Sequence, residues 1–233
     1  MPHRYYIAEP IAAENVTMDG SEAHHLLHVL RARAGMRVVL FDGSGCEFDA
    51  EVTSCGRSTV DLSVYDRRVV DLELMPPLTL GVPLPKGDRQ RWIVEKAVEL
   101  GVTRLVSLHT ERSVATGDKG GEKLDRYVIE ASKQCGRNRL MEITTPMDWT
   151  QWLTTAPGDA QRLIADPTGR PLAVLDHSTM QPTYAAVGPE GGLTADELAS
   201  ARDTGWHIVS LGPRILRIET AAVALVAWLT LKS

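Results

Sequence analysis

Cysteine is scarce in this sequence. The 233 residues include three, Cys46, Cys55 and Cys135, and no two of them form a C-x-x-C pair. An odd number without close pairs argues against a disulfide framework and against a structural zinc site. The residues after Met1 lack the apolar core of a signal peptide, and the most apolar run, residues 221–231, is far shorter than the ~20 residues of a membrane span. We therefore expect a cytoplasmic protein that does not cross a membrane.

The common phosphate-binding motifs and a general excess of positive charge are also missing. The sequence contains neither G-x-x-x-x-G-K-[ST] nor G-x-G-x-x-G, which argues against a P-loop or a dinucleotide fingerprint. The net charge is −5, which does not by itself indicate nucleic-acid binding. The charge is unevenly distributed, however, because residues 86–139 carry 12 basic and 8 acidic side chains. A local basic surface of this kind can serve an RNA substrate even on an acidic protein.

The residues that are present predict a folded α/β protein in two parts. A hydrophobic content of 43% and a charged content of 24% are typical of a globular domain. Residues 1–74 show short alternating runs between glycine-containing turns, which predict a small β-rich module. Met75, Pro76 and Pro77 mark the predicted boundary, because proline cannot continue a central strand. Strand and helix patterns alternate in residues 75–233, which predicts a mostly parallel sheet covered by helices.

Two glycine-containing loops in the last third of the chain are the most informative feature. Each follows a short β-branched run, 184–187 or 207–210, and each precedes a helical pattern. Ligands of open α/β sheets bind where such loops leave the carboxyl ends of the strands, and glycine allows the backbone to approach a ligand closely. Glu190 in the first loop favours a cationic or hydrogen-bond-donating ligand over a phosphate. The alternative is that the glycines serve only a tight turn between strand and helix.

Several stretches together resemble the bacterial ribosomal RNA uracil-N3 methyltransferase family of the SPOUT superfamily. They occur in the family's order and span nearly the whole chain: residues 24–31, 96–102, 111–113, 134–139, 188–192, 210–217 and 219–221. The resemblance implies a SPOUT-type knotted parallel-sheet methyltransferase domain preceded by a PUA-like RNA-binding domain. It also implies methyl transfer from S-adenosyl-L-methionine to N3 of a uridine in 16S ribosomal RNA within the small subunit, by a homodimer formed through the C-terminal domain.

The same resemblance implies roles for individual residues. The cofactor would contact Ala165, Asp166, Val187, Gly188, Pro189, Glu190, Gly191, Gly192, Leu211, Gly212, Ile215, Leu216, Glu219 and Thr220. The catalytic candidates are Arg137, Arg217, Glu190 and Arg112. A guanidinium group suits the negative charge that develops on a uracil losing its N3 proton, and Glu190 is a polar anchor and possible proton acceptor. The arginines could instead form structural ion pairs with Glu190 or Glu219.

RNA contacts are expected from a further set of residues, Arg4, Arg31, Arg33, Gln134 and Asn138. The first three would give the acidic amino-terminal module a local basic edge, and the last two would bond to the base or tie loops together.

His24 and His28 have the i, i+4 spacing of a metal pair, but no third ligand accompanies them, so we expect no metal site. Two other functions remain open: a non-catalytic RNA-binding or ribosome-assembly factor, and a SPOUT methyltransferase that acts on a ribose 2′-hydroxyl or on tRNA.

Overall fold

The computed structural model describes residues 3–113, 121–172 and 180–231. Its internal contacts divide the chain into two compact units. The first comprises Met1–Leu72 and Ser132–Leu140, and the second comprises Glu73–Ala131 and Met141–Ser233. The predicted boundary between residues 74 and 75 remains a prediction, and the short segment Ser132–Leu140 joins the first unit although it lies far along the sequence.

The first unit is built on a five-stranded sheet. Its strands are β1 (Arg4–Tyr6), β2 (Asn15–Met18), β3 (Arg37–Phe41), β4 (Cys46–Cys55) and β5 (Val60–Val69). They lie in the order β1-β3-β4-β5-β2, with β1 parallel to β3 and the other pairs antiparallel. A short helix, α1 (Gly20–His24), continues into a π-helical turn over His25–Val29. The predicted β-rich module is therefore present, with a strand at Asn15–Met18 that the sequence pattern did not reveal.

Alternating side chains of β4 form the core of this unit. Phe48, Ala50 and Val52 are buried at two-residue spacing, because successive side chains of a strand point to opposite faces. Tyr5 is almost fully buried in the same cluster. Burial, together with the negative charge of Glu22, raises the pKa of Tyr5 to about 12.

The second unit is a six-stranded sheet with all pairs parallel. Its strands are β6 (Leu78–Val82), β7 (Arg104–His109), β8 (Glu142–Asp148), β9 (Gln161–Pro171), β10 (Thr183–Val187) and β11 (His207–Ser210), in the order β11-β9-β10-β6-β7-β8. The helices are α2 (Asp88–Glu99), α3 (Gly121–Cys135), α4 (Trp149–Trp152), α5 (Ala195–Asp203) and α6 (Ile218–Thr230). The predicted α/β class is confirmed, whereas the knot that the resemblance implies stays a prediction.

The residue types explain the main elements of this sheet. All five residues of β6 are buried, as expected for a central parallel strand covered on both faces. The apolar helix α6 buries Ala222, Leu225 and Val226 and packs against α2. Helix α5 begins with a capping box, in which the Thr194 side chain accepts from the backbone N–H of Glu197 and the Glu197 carboxylate accepts from that of Thr194.

None of the helices in the described ranges is both long enough and apolar enough to cross a membrane.

Candidate active site

Strands β10 and β11 end where the two glycine-containing loops begin, and β9 lies between them in the sheet. β9 pairs with both β10 and β11, and Val187 at the end of β10 lies opposite Ala165. Because these strands are parallel, the segments that follow them leave the sheet at the same edge. The fold thus brings the two loops together with the middle of β9, although these segments lie far apart in the sequence.

A cavity of about 100 Å³ lies between these segments. It is lined by Ala165, Asp166, Pro167, Val187, Gly188, Pro189, Glu190, Gly192, Leu211, Arg214, Ile215, Leu216, Ile218 and Ala221. Ten of these residues were predicted to contact a cofactor. Four others of the predicted set, Gly191, Gly212, Glu219 and Thr220, are neighbours of the lining in sequence but do not line the cavity themselves.

Glycine is required at two positions of the first loop for different reasons. A Cβ atom on Gly188 would lie 3.0 Å from the Leu193 side chain, so a larger residue would push that side chain away. Gly192 has φ of 71°, in the left-handed region that favours glycine, and its N–H donates to the carbonyl of Pro189 at 2.8 Å. These two glycines fix the turn that leads from the cavity into α5.

Arg112 holds the first loop from the side. Its Nη1 donates to the carbonyl oxygen of Gly191 at 2.9 Å. A Cβ atom on Gly191 would lie 3.3 Å from Cβ of Arg112, so the two backbones approach closely here as well. Gly191 therefore contributes to the site through Arg112 rather than by lining the cavity.

Glu190 forms an ion pair that the sequence did not predict. Its Oε1 accepts from Nη1 of Arg89 at 2.9 Å, and about half of each side chain is exposed. The pairing leaves Oε2 of Glu190 available at the cavity wall. The sequence had left open an ion pair between Glu190 and one of the predicted arginines. Glu190 pairs instead with Arg89 on α2.

The second loop presents exposed side chains and leads into α6. Ile215 is 90% exposed although it is apolar, and Arg214 is exposed beside it. Arg217 is the N-cap residue of α6 with an exposed side chain. Within the described residues, Oε2 of Glu219 is buried without a hydrogen-bond partner, whereas Thr220 is exposed in the first turn. The loop therefore offers an apolar and cationic surface to a ligand.

Asp166 supplies a second carboxylate to the cavity. It is only 9% exposed. Its Oδ1 accepts from the backbone N–H and the hydroxyl of Thr168, at 2.9 Å and 2.6 Å, which fixes the orientation of the carboxylate. The other oxygen remains available to accept a hydrogen bond from a ligand.

The remaining predicted residues belong to the first unit, where two of them bond to each other. Arg4 donates to Oδ1 of Asn138 at 2.6 Å and forms an ion pair with Glu47. Asn138 is 1% exposed, and its Nδ2 donates to the carbonyl of Val70 at 3.1 Å. Arg4 and Asn138 were expected to contact RNA, but these contacts and their burial favour a structural role for both.

Arg137, predicted as catalytic, is 3% exposed in the same segment. Gln134, Arg31 and Arg33 are exposed, so the basic edge expected of this unit depends on Arg31 and Arg33. Arg31 has φ of 52°, an uncommon conformation for a residue with a Cβ atom.

Among the described residues, His24 and His28 belong to no group of side chains that could hold a metal ion. The rings of His24 and His28 lie 4.6 Å apart, and both side chains are exposed. Across the part of the chain that the structure describes, no group of three or more His, Cys, Asp or Glu side chains is arranged to hold a metal ion.

The comparisons with known proteins agree with this architecture. A family model described as an RNA methyltransferase domain matches residues 73–230, and one described as an RNA methyltransferase PUA domain matches residues 18–65. The ribosomal RNA small subunit methyltransferase E of Synechocystis is 32% identical over 97% of this chain and 77% of its own length. This chain belongs to the ribosomal RNA small subunit methyltransferase E family. The Mycobacterium tuberculosis member is 33% identical over 88% of this chain and 82% of its own.

Solved structures of similar proteins extend over the whole chain. A methyltransferase E from Neisseria gonorrhoeae bound to S-adenosyl methionine is 31% identical, with a TM-score of 0.90 over 100% of this chain and 98% of its own. A Legionella pneumophila protein solved in complex with the bound cofactor SAM is 28% identical, with a TM-score of 0.91 over 100% and 98% of the two chains. These similarities confirm the predicted family and the SPOUT-type class with an amino-terminal PUA domain.

Sequence reasoning missed four residues of the cavity: Pro167, Arg214, Ile218 and Ala221. Each is the direct sequence neighbour of a residue predicted to contact the cofactor, so a rule that included such neighbours would have found them. Arg89 is different. It lies on α2, more than 100 residues before Glu190, and no local pattern links the two.

Proposed function

We propose that this protein transfers the methyl group of S-adenosyl-L-methionine to N3 of a uridine in 16S ribosomal RNA. The observation that carries the proposal is the cavity lined jointly by both glycine-containing loops and the middle of β9. Two relatives that are about as long as this chain bind S-adenosylmethionine in their solved structures. The name shared by the family members supplies the small-subunit ribosomal RNA as the substrate class.

The lining of the cavity fits such a donor. Leu211, Leu216 and Ile218 provide apolar surface for an adenine ring, and the glycines expose backbone groups that can bond to its edge. The carboxylates of Asp166 and Glu190 suit a ligand that carries positive charge and hydroxyl donors. A phosphate would meet two carboxylates at this site, which disfavours a nucleotide phosphate.

When bound, S-adenosyl-L-methionine supplies an electrophilic methyl group. The loops on the two sides of the cavity have to fix its orientation relative to the uridine. Correct positioning of two reactants contributes as much as ~7–11 kcal/mol to lowering a barrier. The left-handed Gly192 and the bond from Arg112 to Gly191 hold the first loop in one conformation for this purpose.

Glu190 is the proposed acceptor of the proton that N3 loses. Arg89 holds Oε1, which leaves Oε2 to take the proton, and the electron pair left on N3 is the nucleophile. A base positioned in this way typically contributes ~10²–10⁴-fold to the rate. The side chain lies at the cavity wall, so its carboxylate is close to where the donor's methyl group and the base have to meet.

Guanidinium groups are proposed to stabilise the charge that develops on the uracil oxygens. Arg217 is exposed at the start of α6, directly between two lining residues. Arg214 is a second candidate because it lines the cavity. Of the other arginines predicted for this role, Arg112 donates to the carbonyl of Gly191 and Arg137 is buried in the first unit. Arginine suits this task because its planar group donates several hydrogen bonds while staying charged.

The homodimer that the resemblance implies is part of the same proposal. Trp92 on α2 is 39% exposed and Leu231 after α6 is 76% exposed, so apolar side chains face outward on the C-terminal domain. Light scattering should give the mass of two chains. A single-chain mass at working concentrations would contradict a homodimer. A ribosomal substrate also predicts that the protein acts in the cytoplasm.

Mass spectrometry of 16S ribosomal RNA tests the function directly. RNA from a strain that lacks the gene should miss one methyluridine, and the wild-type gene should restore it. Purified protein should transfer a labelled methyl group to small subunits from the deletion strain. A missing 2′-O-methyl group, a missing tRNA modification or an unchanged RNA would instead favour one of the alternative functions.

A further inference from the structure

A second cavity lies next to the proposed donor site and shares a wall with it. It has a volume of about 170 Å³ and is lined by Pro83, Leu84, Pro85, Lys86, Arg89, Leu108, Ser113 and Glu190. Glu190 lines both cavities, so this one side chain stands between them. Apart from Glu190, none of the residues predicted to contact the cofactor or to take part in catalysis lines the second cavity.

Four of the eight residues that line this cavity are apolar: Pro83, Leu84, Pro85 and Leu108. Leu84 and Leu108 are buried at 5% and 1% exposure, so their side chains are fixed by packing. Two prolines restrict the backbone on either side of Leu84. Ser113 is held in place as well, because its hydroxyl donates to the carbonyl of Thr110 at 2.9 Å and accepts from the N–H of the same residue at 3.0 Å. Such walls suit the flat face of a nucleobase.

The charged groups at the mouth leave a surplus of one positive charge. Arg89 pairs with Glu190, which balances those two groups. Lys86 is exposed, and its ammonium group has no ion-pair partner among the described residues. An exposed cation beside an apolar pocket is the combination that binds single-stranded nucleic acid, where the base packs on a surface and the phosphate meets a positive charge.

We propose that this second cavity holds the acceptor nucleotide of the RNA. The base lies against the apolar part of the cavity wall, and Lys86 binds the phosphate of that nucleotide. Glu190 then faces the edge of the base from the wall shared with the donor cavity, which is where the proposed proton transfer requires it. This inference rests on the proposed function and deepens it by assigning the substrate site. An unstacked nucleotide is needed, since a base inside a helix cannot reach a pocket.

The test is steady-state methyl transfer by Lys86→Ala. The substrates are labelled S-adenosylmethionine and small ribosomal subunits from a strain lacking the gene, with KM for the subunits measured at several KCl concentrations. We expect KM to rise roughly tenfold, the size of one lost charged hydrogen bond. The dependence of log KM on log salt concentration should become shallower by about 0.7 to 1, which corresponds to one lost phosphate contact.

Two further variants and one binding measurement separate this role from a structural one. Lys96→Ala removes a lysine from α2 that lines neither cavity and pairs with Glu99, and it should leave KM and the salt dependence unchanged. Lys86→Arg should retain most of the wild-type KM because it keeps the charge. The calorimetric Kd for S-adenosylmethionine should be the same in all three variants and the wild type.

The results that would overturn the inference are distinct from those that would overturn the function. An unchanged KM and an unchanged salt dependence in Lys86→Ala, with an active wild type, would remove the acceptor site from this cavity and leave the proposed function standing. A fall in kcat alone would do the same. If the wild type transferred no methyl group to the subunits, the proposed function would be refuted and the inference with it.

Discussion

Replacing Arg112 by alanine separates a loop-holding role from a catalytic one. The guanidinium donates one hydrogen bond to the carbonyl of Gly191, at 2.9 Å and in an exposed position. A bond of this kind contributes about 1 kcal/mol. If its function is to hold the first loop in the conformation that binds the donor, its loss should weaken S-adenosylmethionine binding about fivefold.

Isothermal titration calorimetry gives the Kd, and methyl transfer at saturating donor gives kcat. We expect Arg112→Ala to raise Kd about fivefold while kcat changes little, because saturating donor restores the loop. Arg104→Ala is the matched control: Arg104 lies at the other end of β7 and pairs with Glu142 away from the cavity. An unchanged Kd with a kcat lowered a hundredfold or more would refute the loop-holding role and place the guanidinium on the reacting uracil.

Three other changes test separate parts of the account. Glu190→Gln should lower kcat by ~10²–10⁴-fold, because an amide cannot take the N3 proton, while the Kd for the donor changes far less. Gly169→Ala should destabilise the second unit by about 1–3 kcal/mol in urea unfolding, since a Cβ there would lie 2.5 Å from the backbone nitrogen of Val209. Asp42→Asn should lower the free energy of unfolding at neutral pH. The difference in this free energy between variant and wild type should shrink as the pH falls below about 4.

The reason for the last expectation is the environment of the Asp42 carboxylate. Burial raises its pKa, but hydrogen bonds from Ser44 and from the backbone of Ile11 outweigh that effect and lower the pKa below the usual 3.8. A carboxylate whose pKa is lower in the folded than in the unfolded state stabilises the fold at pH values above its unfolded pKa. This stabilisation is lost as the pH falls through its folded pKa. A difference that grew toward acid pH would contradict this assignment.

For Gly169, the control is Gly158→Ala, where no atom lies within 4 Å of the added carbon.

Local sequence patterns predicted those elements whose stabilising contacts lie within a few residues of one another. The strands before both loops occur at the predicted positions. The spacing of Thr194 and Glu197 is likewise that of the capping box which starts α5. In each case the pattern reflects a contact within a few residues, which a single sequence displays directly.

β8 and the extension of β9 were harder to predict than the strands before the loops. β8 is an edge strand over Glu142–Asp148 with no buried residue, so it lacks both the apolar run and the alternation of a strand. β9 is an interior strand that continues to Pro171, through residues that usually break strands. Its register with β11 shifts between Ile208 and Val209, and this irregularity accommodates the extension.

The parts of the site that could not be predicted from the sequence depend on contacts between residues that lie far apart in the chain. Arg4 and Asn138 are 134 residues apart and bond to each other inside the first unit, although their residue types also fit RNA contacts. Arg89 and Glu190 pair across 101 residues. The loop residues of the cavity were predictable because they follow strands, whereas the partners that orient them come from other elements.

The central claim is that the cavity between the two glycine-containing loops binds S-adenosylmethionine. Calorimetric titration of the wild type and of Ile215→Arg tests it most directly, because Ile215 lines the cavity yet is 90% exposed, so the fold should tolerate the change. We predict one donor bound per wild-type chain, and binding at least tenfold weaker in the variant at an unchanged unfolding temperature, since the new cation repels a sulfonium. Equal affinity in both proteins, or no binding to the wild type, would contradict the account.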